Sequence, residues 1–204
     1  MQVVQNIGNY SAQNPSILTI GTFDGVHIGH QKIIKDLVKV AKKNNLCSIV
    51  LTFFPHPRMV LQKDSDLKMI DTLEEKQHFL EKMGVDVLIV HPFSRAFSRL
   101  TALEFTRDLL VNQLKISQLV VGYDHRFGRN REATIDDLKS FGLDYNFTVD
   151  EIPSQDIESI AVSSTKIRNA LNKGDLKTAN QFLGRPFGLT GTVVKGDGIG
   201  KKFG

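Results

Sequence analysis

The sequence predicts an α/β fold in which a parallel sheet is flanked by helices on both faces. Two observations carry this reading. Short apolar runs alternate with amphipathic stretches through about residue 152, the pattern of strands joined by helical crossovers. Three segments rich in Gly, His and Arg also begin where candidate strands end, at 22–30, 54–58 and 122–131. In an open parallel sheet, ligands gather at the carboxyl ends of the strands, so these segments are expected to converge on one edge.

The elements follow in order. Ile17–Ile20 reads as a first buried strand. His30, Ile33, Ile34, Leu37, Val38 and Ala41 fall at helical spacing and predict a helix over 28–44. Ser48–Phe53 is a second strand. Thr72 with Glu75 has the form of a capping box, opening a helix to about Met83. Val85–Val90 is a third strand, and Thr101 with Glu104 caps a helix over 102–113. Gln118–Val121 is a fourth strand, Ile135–Phe141 a short helix and Tyr145–Ile152 a fifth strand. The texture is helical from Ser164 to about Leu183. Gly184-Arg-Pro186 then reads as a linker, and Phe187–Val194 as a strand of something new.

A chain of 204 residues suits one ordinary domain with a small extra piece. The basic excess is only +4, and no basic run resembles a DNA-binding arm. This favours a phosphate-bearing small molecule over nucleic acid as partner. No apolar run is long enough to span a bilayer, and 1–13 lack a signal-peptide core, so no membrane partner is expected. Cys47 is the single cysteine and lies in an apolar run. It reads as a buried core thiol, which fits a cytoplasmic protein. The sequence carries no signal for the oligomeric state.

Four segments carry candidate chemistry. In Gly21–His30, His27 and His30 stand three apart at a helix start, facing one side. Free N–H groups and the helix dipole attract phosphate there. Gly29 lets a ligand approach the backbone. The two rings suit hydrogen-bond donation to a phosphorus centre as negative charge builds. A metal site is the weaker rival, because no third ligand is nearby. The blander alternative makes His30 part of the buried stripe and His27 a turn residue, but Gly21 and the Phe23-Asp-Gly25 turn before them favour function.

In Phe54–Arg58, two prolines fix the loop and are expected to hold His56 and Arg58 outward, toward phosphates or a stacked ring, or simply as a stiff surface loop. In Val121–Arg131, Asp124 suits a ribose hydroxyl or the water shell of Mg²⁺. Arg126, Arg129 and Arg131 offer forked donors, and Phe127 a stacking face; a solvated basic loop is the alternative. Ser163–Arg168 opens a helix, where hydroxyls and free N–H groups make a phosphate cradle or, more simply, an ordinary cap. Gly196–Gly200 looks like a phosphate loop, but no helix follows it.

Taken together and in this order, the four motifs resemble the bacterial bifunctional riboflavin kinase/FAD synthetase family. The resemblance implies a Rossmann-like nucleotidyltransferase domain over 1–185, followed over 186–204 by the truncated start of a riboflavin kinase β-barrel. It implies an FMN adenylyltransferase that joins FMN and Mg²⁺-bound ATP into FAD and pyrophosphate. His27, His30 and Asp124 would be its catalytic residues. Gly21, Phe23, Gly29, Ser163, Ser164, Thr165 and Arg168 would bind ATP. His56, Pro57, Arg58, Arg126 and Phe127 would bind the flavin. His125 stands where many members carry Phe. The Pro-Thr-Ala-Asn segment of the kinase is absent, so riboflavin phosphorylation is expected only of a longer parent. Two rivals stay open: a nucleotidyltransferase with another acceptor, and a flavin- or nucleotide-binding module without catalysis.

Overall fold

The computed structural model describes residues 1–63, 65–123, 125–152, 162–196, 198 and 200. Six strands form one sheet: β1 (Gln2–Gln5), β2 (Ser16–Ile20), β3 (Cys47–Phe53), β4 (Val87–His91), β5 (Ile116–Gly122) and β6 (Thr148–Ile152). Their spatial order is β1-β4-β3-β2-β5-β6, and every neighbouring pair is parallel. The chain steps outward from β2 to β3 and β4, then returns past β2 to lay down β5 and β6. The switch point therefore lies between β2 and β5, where the connections leave the sheet in opposite directions and open a crevice.

Side chains alternate across the sheet and build two cores. Ile17, Val50, Leu88 and Val120 point to the face covered by α1 (Ile28–Asn44) and α3 (Leu73–Lys82), where they meet Ile34, Leu37, Val38 and Leu80. Leu18, Ile49, Leu51, Ile89 and Leu119 point the other way and meet Phe105, Leu110, Leu114, Ile135 and Leu138. The central strands are thus buried on both faces, which is why they read as continuous apolar runs. A short helix, α2 (Pro57–Leu61), follows β3, and α5 (Ile135–Tyr145) follows the loop after β5. Two further helices, α6 (Ser164–Asn172) and α7 (Leu176–Leu183), pack through Ile167, Ala170, Ala179 and Leu183 against Ile70.

Several expectations are corrected. β1 has no counterpart in the sequence reading, because only Val4 of its four residues is buried and the strand exists through its pairing with β4. The 102–113 helix is α-helical only over α4 (Ala102–Glu104) and continues as a π-helix over Phe105–Gln113. The wider winding sets Phe105, Leu110 and Leu114, five and four apart, against the core. Tyr145 belongs to α5, which runs to a left-handed cap at Asn146, rather than to β6. Residues 187–194 form no strand: Leu189 is 89% and Val193 99% exposed. A strand there needs a neighbour to take its backbone hydrogen bonds, and none is present among the described residues. Cys47 is half-buried beside Tyr10 rather than sealed in the core.

Gly142 lies inside α5, where Ala would ordinarily be favoured by ~1 kcal/mol. A methyl there would stand 2.5 Å from the Phe147 carbonyl oxygen, at the turn into β6. Gly142→Ala should therefore lower the unfolding free energy by ~1–3 kcal/mol in a urea titration, the overpacking range. A gain would show that the turn yields.

Candidate active site

The segment after β2 is a sharp turn held by side chains from elsewhere. Phe23 (φ 45), Gly25 (φ 85) and Val26 (φ 35) all have positive φ, which is unfavourable for a bulky or β-branched residue. The surrounding contacts over-determine it. The Thr22 carbonyl accepts from Lys76 Nζ at 2.7 Å and from Thr52 Oγ1 at 3.1 Å. The Asp24 carbonyl accepts from Ser164 Oγ at 2.9 Å, and the Gly25 carbonyl from Arg185 at 3.1 Å. Val26 O accepts from Gln31 Nε2 at 2.9 Å. The Asp24 side chain is fully buried: Oδ1 accepts from the Ile70 N–H at 2.9 Å, and Oδ2 from the Arg168 guanidinium.

This turn delivers His27 to the N-cap of α1. Its Nδ1 accepts from the His30 backbone N–H at 3.3 Å, so the proton of the neutral ring sits on Nε2. The His27 and His30 rings stack with centroids 3.5 Å apart and planes 17° from parallel, and Phe23 meets His30 edge-on. Burial pushes His27 down to about 4, against the opposing pull of Asp24. Burial, His27 and Lys76 hold His30 well below the ordinary imidazole value. Both rings are neutral near pH 7, and His30 Nδ1 is buried with no hydrogen-bond partner among the described residues.

The N-terminus of α6 lies against the N-terminus of α1. Ser164 Oγ bonds to Asp24 O, and a methyl on Gly29 would come within 3.3 Å of both the His27 ring and Val162, just before α6. Ser163 caps α6 through Oγ, which accepts from the Lys166 N–H at 3.2 Å. Thr165 is exposed in the first turn. Two helix dipoles therefore present their positive ends around the histidine pair, a setting for polyphosphate. Arg168 reaches back from α6, donating from Nε to Lys68 O at 2.9 Å as well as to Asp24.

His56 is buried, a correction to the expected outward loop. Pro57 occupies the first helical position of α2, where its lack of an N–H is harmless, and the Arg58 N–H, which has no acceptor within the first turn, donates to His56 Nδ1 at 3.1 Å. Burial pushes His56 down to about 4, with Asp24, Arg168 and Lys76 also acting on it. Arg58 is exposed beside it. Asp124 lies outside the described residues. Arg126 is exposed. Phe127 is 7% exposed, packed against Phe105 and paired through its backbone with Ala133. Its ring fills the core below the loop instead of offering an open stacking face.

Lys76, Asp71, Thr52 and Arg185 belong to this cluster and were not legible as site residues. Lys76 is 1% exposed, and burial lowers its pKa against the pull of Asp24 and Asp71. A signal for it exists: in α3 it falls on the face of Leu73 and Leu80, where an apolar residue is due. It also lines a groove of about 540 Å³, together with Phe54, Met69, Ile70, Thr72 and Leu189. Among the described residues, no three His, Cys, Asp or Glu side chains cluster closely enough to hold a metal ion.

The chain is 37% identical, over its whole length, to the bifunctional riboflavin kinase/FMN adenylyltransferases of Buchnera aphidicola subsp. Schizaphis graminum and of Escherichia coli K12, and spans 66% of each. It is 38% identical to the enzyme of the same name from Listeria monocytogenes over 92% of this chain and 60% of that one. The chain thus spans somewhat under two thirds of these relatives. A crystal structure described as a macrolide-efflux protein from Streptococcus pneumoniae superposes with a TM-score of 0.85 at 30% identity, covering 99% of this chain and 66% of that one. No described helix of the present chain is long and apolar enough to cross a membrane. Pantothenate synthetase from Thermus thermophilus shares the fold alone, with a TM-score of 0.50 at 13% identity over 90% of this chain and 81% of that one. The family model for FAD synthetase matches residues 9–166, which takes in both the histidine turn and the start of α6, and the chain belongs to the FAD synthetase family.

Proposed function

We propose that the chain transfers the adenylyl group of Mg²⁺-bound ATP to the phosphate of FMN. The observation that carries this is the stacked, neutral His27–His30 pair set between the N-termini of α1 and α6. A phosphate oxygen of FMN attacks the α-phosphorus, the α–β bridging bond breaks, and pyrophosphate leaves with the bond electrons. The attacking oxygen is already anionic, so the site has to position and neutralise charge rather than remove a proton. His27 and His30 donate hydrogen bonds to the phosphate oxygens. Ser163, Ser164, Thr165 and Arg168, with Gly21, Phe23 and Gly29, hold ATP. His56, Pro57, Arg58 and Arg126 receive the flavin nucleotide; Phe127 supports that loop from beneath. Mg²⁺ would come with the ATP phosphates and neutralise charge there, and Asp124 would serve its water shell or the ribose. We place the transferase over 1–185, with 186–204 as the start of a kinase barrel, and the enzyme in the cytoplasm.

Incubation with FMN, ATP and Mg²⁺ should yield FAD and pyrophosphate in equal amounts, resolved by chromatography. Folded protein that forms no FAD, or that prefers CTP or another phosphate acceptor, would overturn the reading.

His27→Asn keeps an N-cap acceptor, so the protein should fold while kcat falls by on the order of 10²-fold, the loss typical of one preorganised donor. The KM for FMN should barely change. An effect confined to KM would assign the ring to ground-state binding instead.

The neutral state of the rings has its own signature. For His27 and His56 the folded pKa, about 4, lies below the unfolded 6.5. The unfolded chain therefore binds more protons below pH 6.5, and stability falls with acid through the window from 6.5 to 4, then levels. Each ring contributes a slope approaching about 1.4 kcal/mol per pH unit. Urea unfolding across this range should show the loss, and His56→Asn should flatten it. Equal slopes for the two proteins would mean that His56 is protonated in the folded state.

A further inference from the structure

We propose that Arg185, beyond the stretch matched by the family model, is a positioning residue for adenylyl transfer: it holds the turn that presents His27 and His30. The proposal rests on the functional reading above.

Three consecutive residues at the end of α7 grip the start of α1. The Leu183 carbonyl accepts from Gln31 Nε2 at 2.8 Å, and the same amide donates to Val26 O. Gly184 is left-handed (φ 67), and a methyl there would stand 2.7 Å from Ile28 Cγ2, so the chain passes directly over the first residue of the helix. Arg185 then sends its guanidinium inward. It donates to both oxygens of Asp71, at 2.6 and 2.8 Å, and to the Gly25 carbonyl at 3.1 Å, with Cζ 3.9 Å over the Phe79 ring. The segment thus reaches Gly25 directly, Val26 through the shared Gln31 amide and Ile28 by close approach, and His27 lies between them.

The geometry explains a pair that stability alone does not. A buried ion pair is on balance weak evidence for stability, since both charges lose their water. Arg185 and Asp71 are both largely buried. What the pair adds is orientation: with Nη2 held on the Asp71 carboxylate and the plane stacked on Phe79, the same nitrogen also faces Gly25 O. That carbonyl belongs to the turn whose next residue, Val26, sits at φ 35. A strained turn reverts unless something outside it holds it. Arg168 does so at Asp24, and Arg185 at Gly25.

The test uses Arg185→Met, and the double variant Asp71→Asn/Arg185→Met, which removes both buried charges together and remains informative where the single variant fails to fold. Folding is checked by a cooperative thermal melt and circular dichroism. FAD formation should show kcat lower by on the order of 10²-fold, the loss expected for a misplacement near 1 Å, with KM for ATP and FMN changed far less. Arg185→Lys keeps a cation beside Asp71 but has no planar group to lie over Phe79, so it should restore only part of kcat. Imidazole nitrogen resonances give a readout independent of turnover. In the wild type, His27 should be a neutral Nε2–H tautomer at pH 6, facing Asp24 and stacked on His30; in the folded double variant it should titrate closer to 6.5. Folded variants with wild-type kcat and wild-type histidine resonances would overturn the proposal, as would a loss confined to KM. If the wild type itself makes no FAD, the functional reading fails while the histidine titration still decides whether Arg185 holds the turn.

Discussion

Asp24 has no exposed surface, and a carboxylate so placed is tolerable only because the Arg168 guanidinium and the Ile70 N–H meet its two oxygens. Stripping an isolated carboxylate of water is unfavourable by several kcal/mol even after the protein relaxes, so these partners are obligatory. Their positions dictate much of what surrounds them. Arg168 requires α6 to lie across the turn, and that brings Ser164 onto the Asp24 carbonyl. The Ile70 N–H requires the segment before α3 to approach the turn, and that carries Asp71 and Lys76 into place. The arrangement of His27 and His30 follows from this one buried charge.

The charge balance of the cluster explains why the histidines stay neutral. Lys76, Arg168 and Arg185 face Asp24 and Asp71, one positive charge in excess. A protonated imidazole added to this would face both burial and like-charge repulsion; a neutral one keeps an N–H to donate. The fixed cations thus supply the field that draws a polyphosphate, and the rings supply directed donors. Because the donors do not reorient as charge builds on the phosphoryl oxygens, their stabilisation is greatest in the transition state. The anion, once bound, is itself what would raise the imidazole pKa.

What was legible in the sequence is what local rules decide. The α1 register, the capping boxes at Thr72 and Thr101, and the central strands all follow from spacing within one element. Convergence of the segments after β2 and β3 follows from topology, and the structure brings them together around Asp24. The failures have non-local causes. β1 is polar by sequence and is a strand only because β4 offers it an edge. The π-winding of 105–113 is chosen by the core it covers. His56 reads as an exposed loop residue because Pro55 and Pro57 look like loop punctuation, whereas Pro57 starts a helix and leaves the ring to cap it. Asp24 reads as a turn residue, and its partners lie 46 and 144 positions away.

The family model ends at residue 166, and both arginines that hold the turn lie after it. They are carried by α6 and α7, of 9 and 8 residues. Helices that short are marginal by themselves in water and persist through tertiary contact. Here the contact is the small cluster of Ile167, Ala170, Ala179 and Leu183 against Ile70, whose own N–H donates to Asp24. Packing of these helices and closure of the ion pairs are therefore a single event: without the apolar cluster the arginines have no fixed origin, and without them Asp24 and Gly25 lose their donors. The segment that reads as a linker, Gly184-Arg-Pro186, contributes the last of these donors. The boundary of the working domain is thus set by where the charges are satisfied, not by where the strand–helix alternation stops.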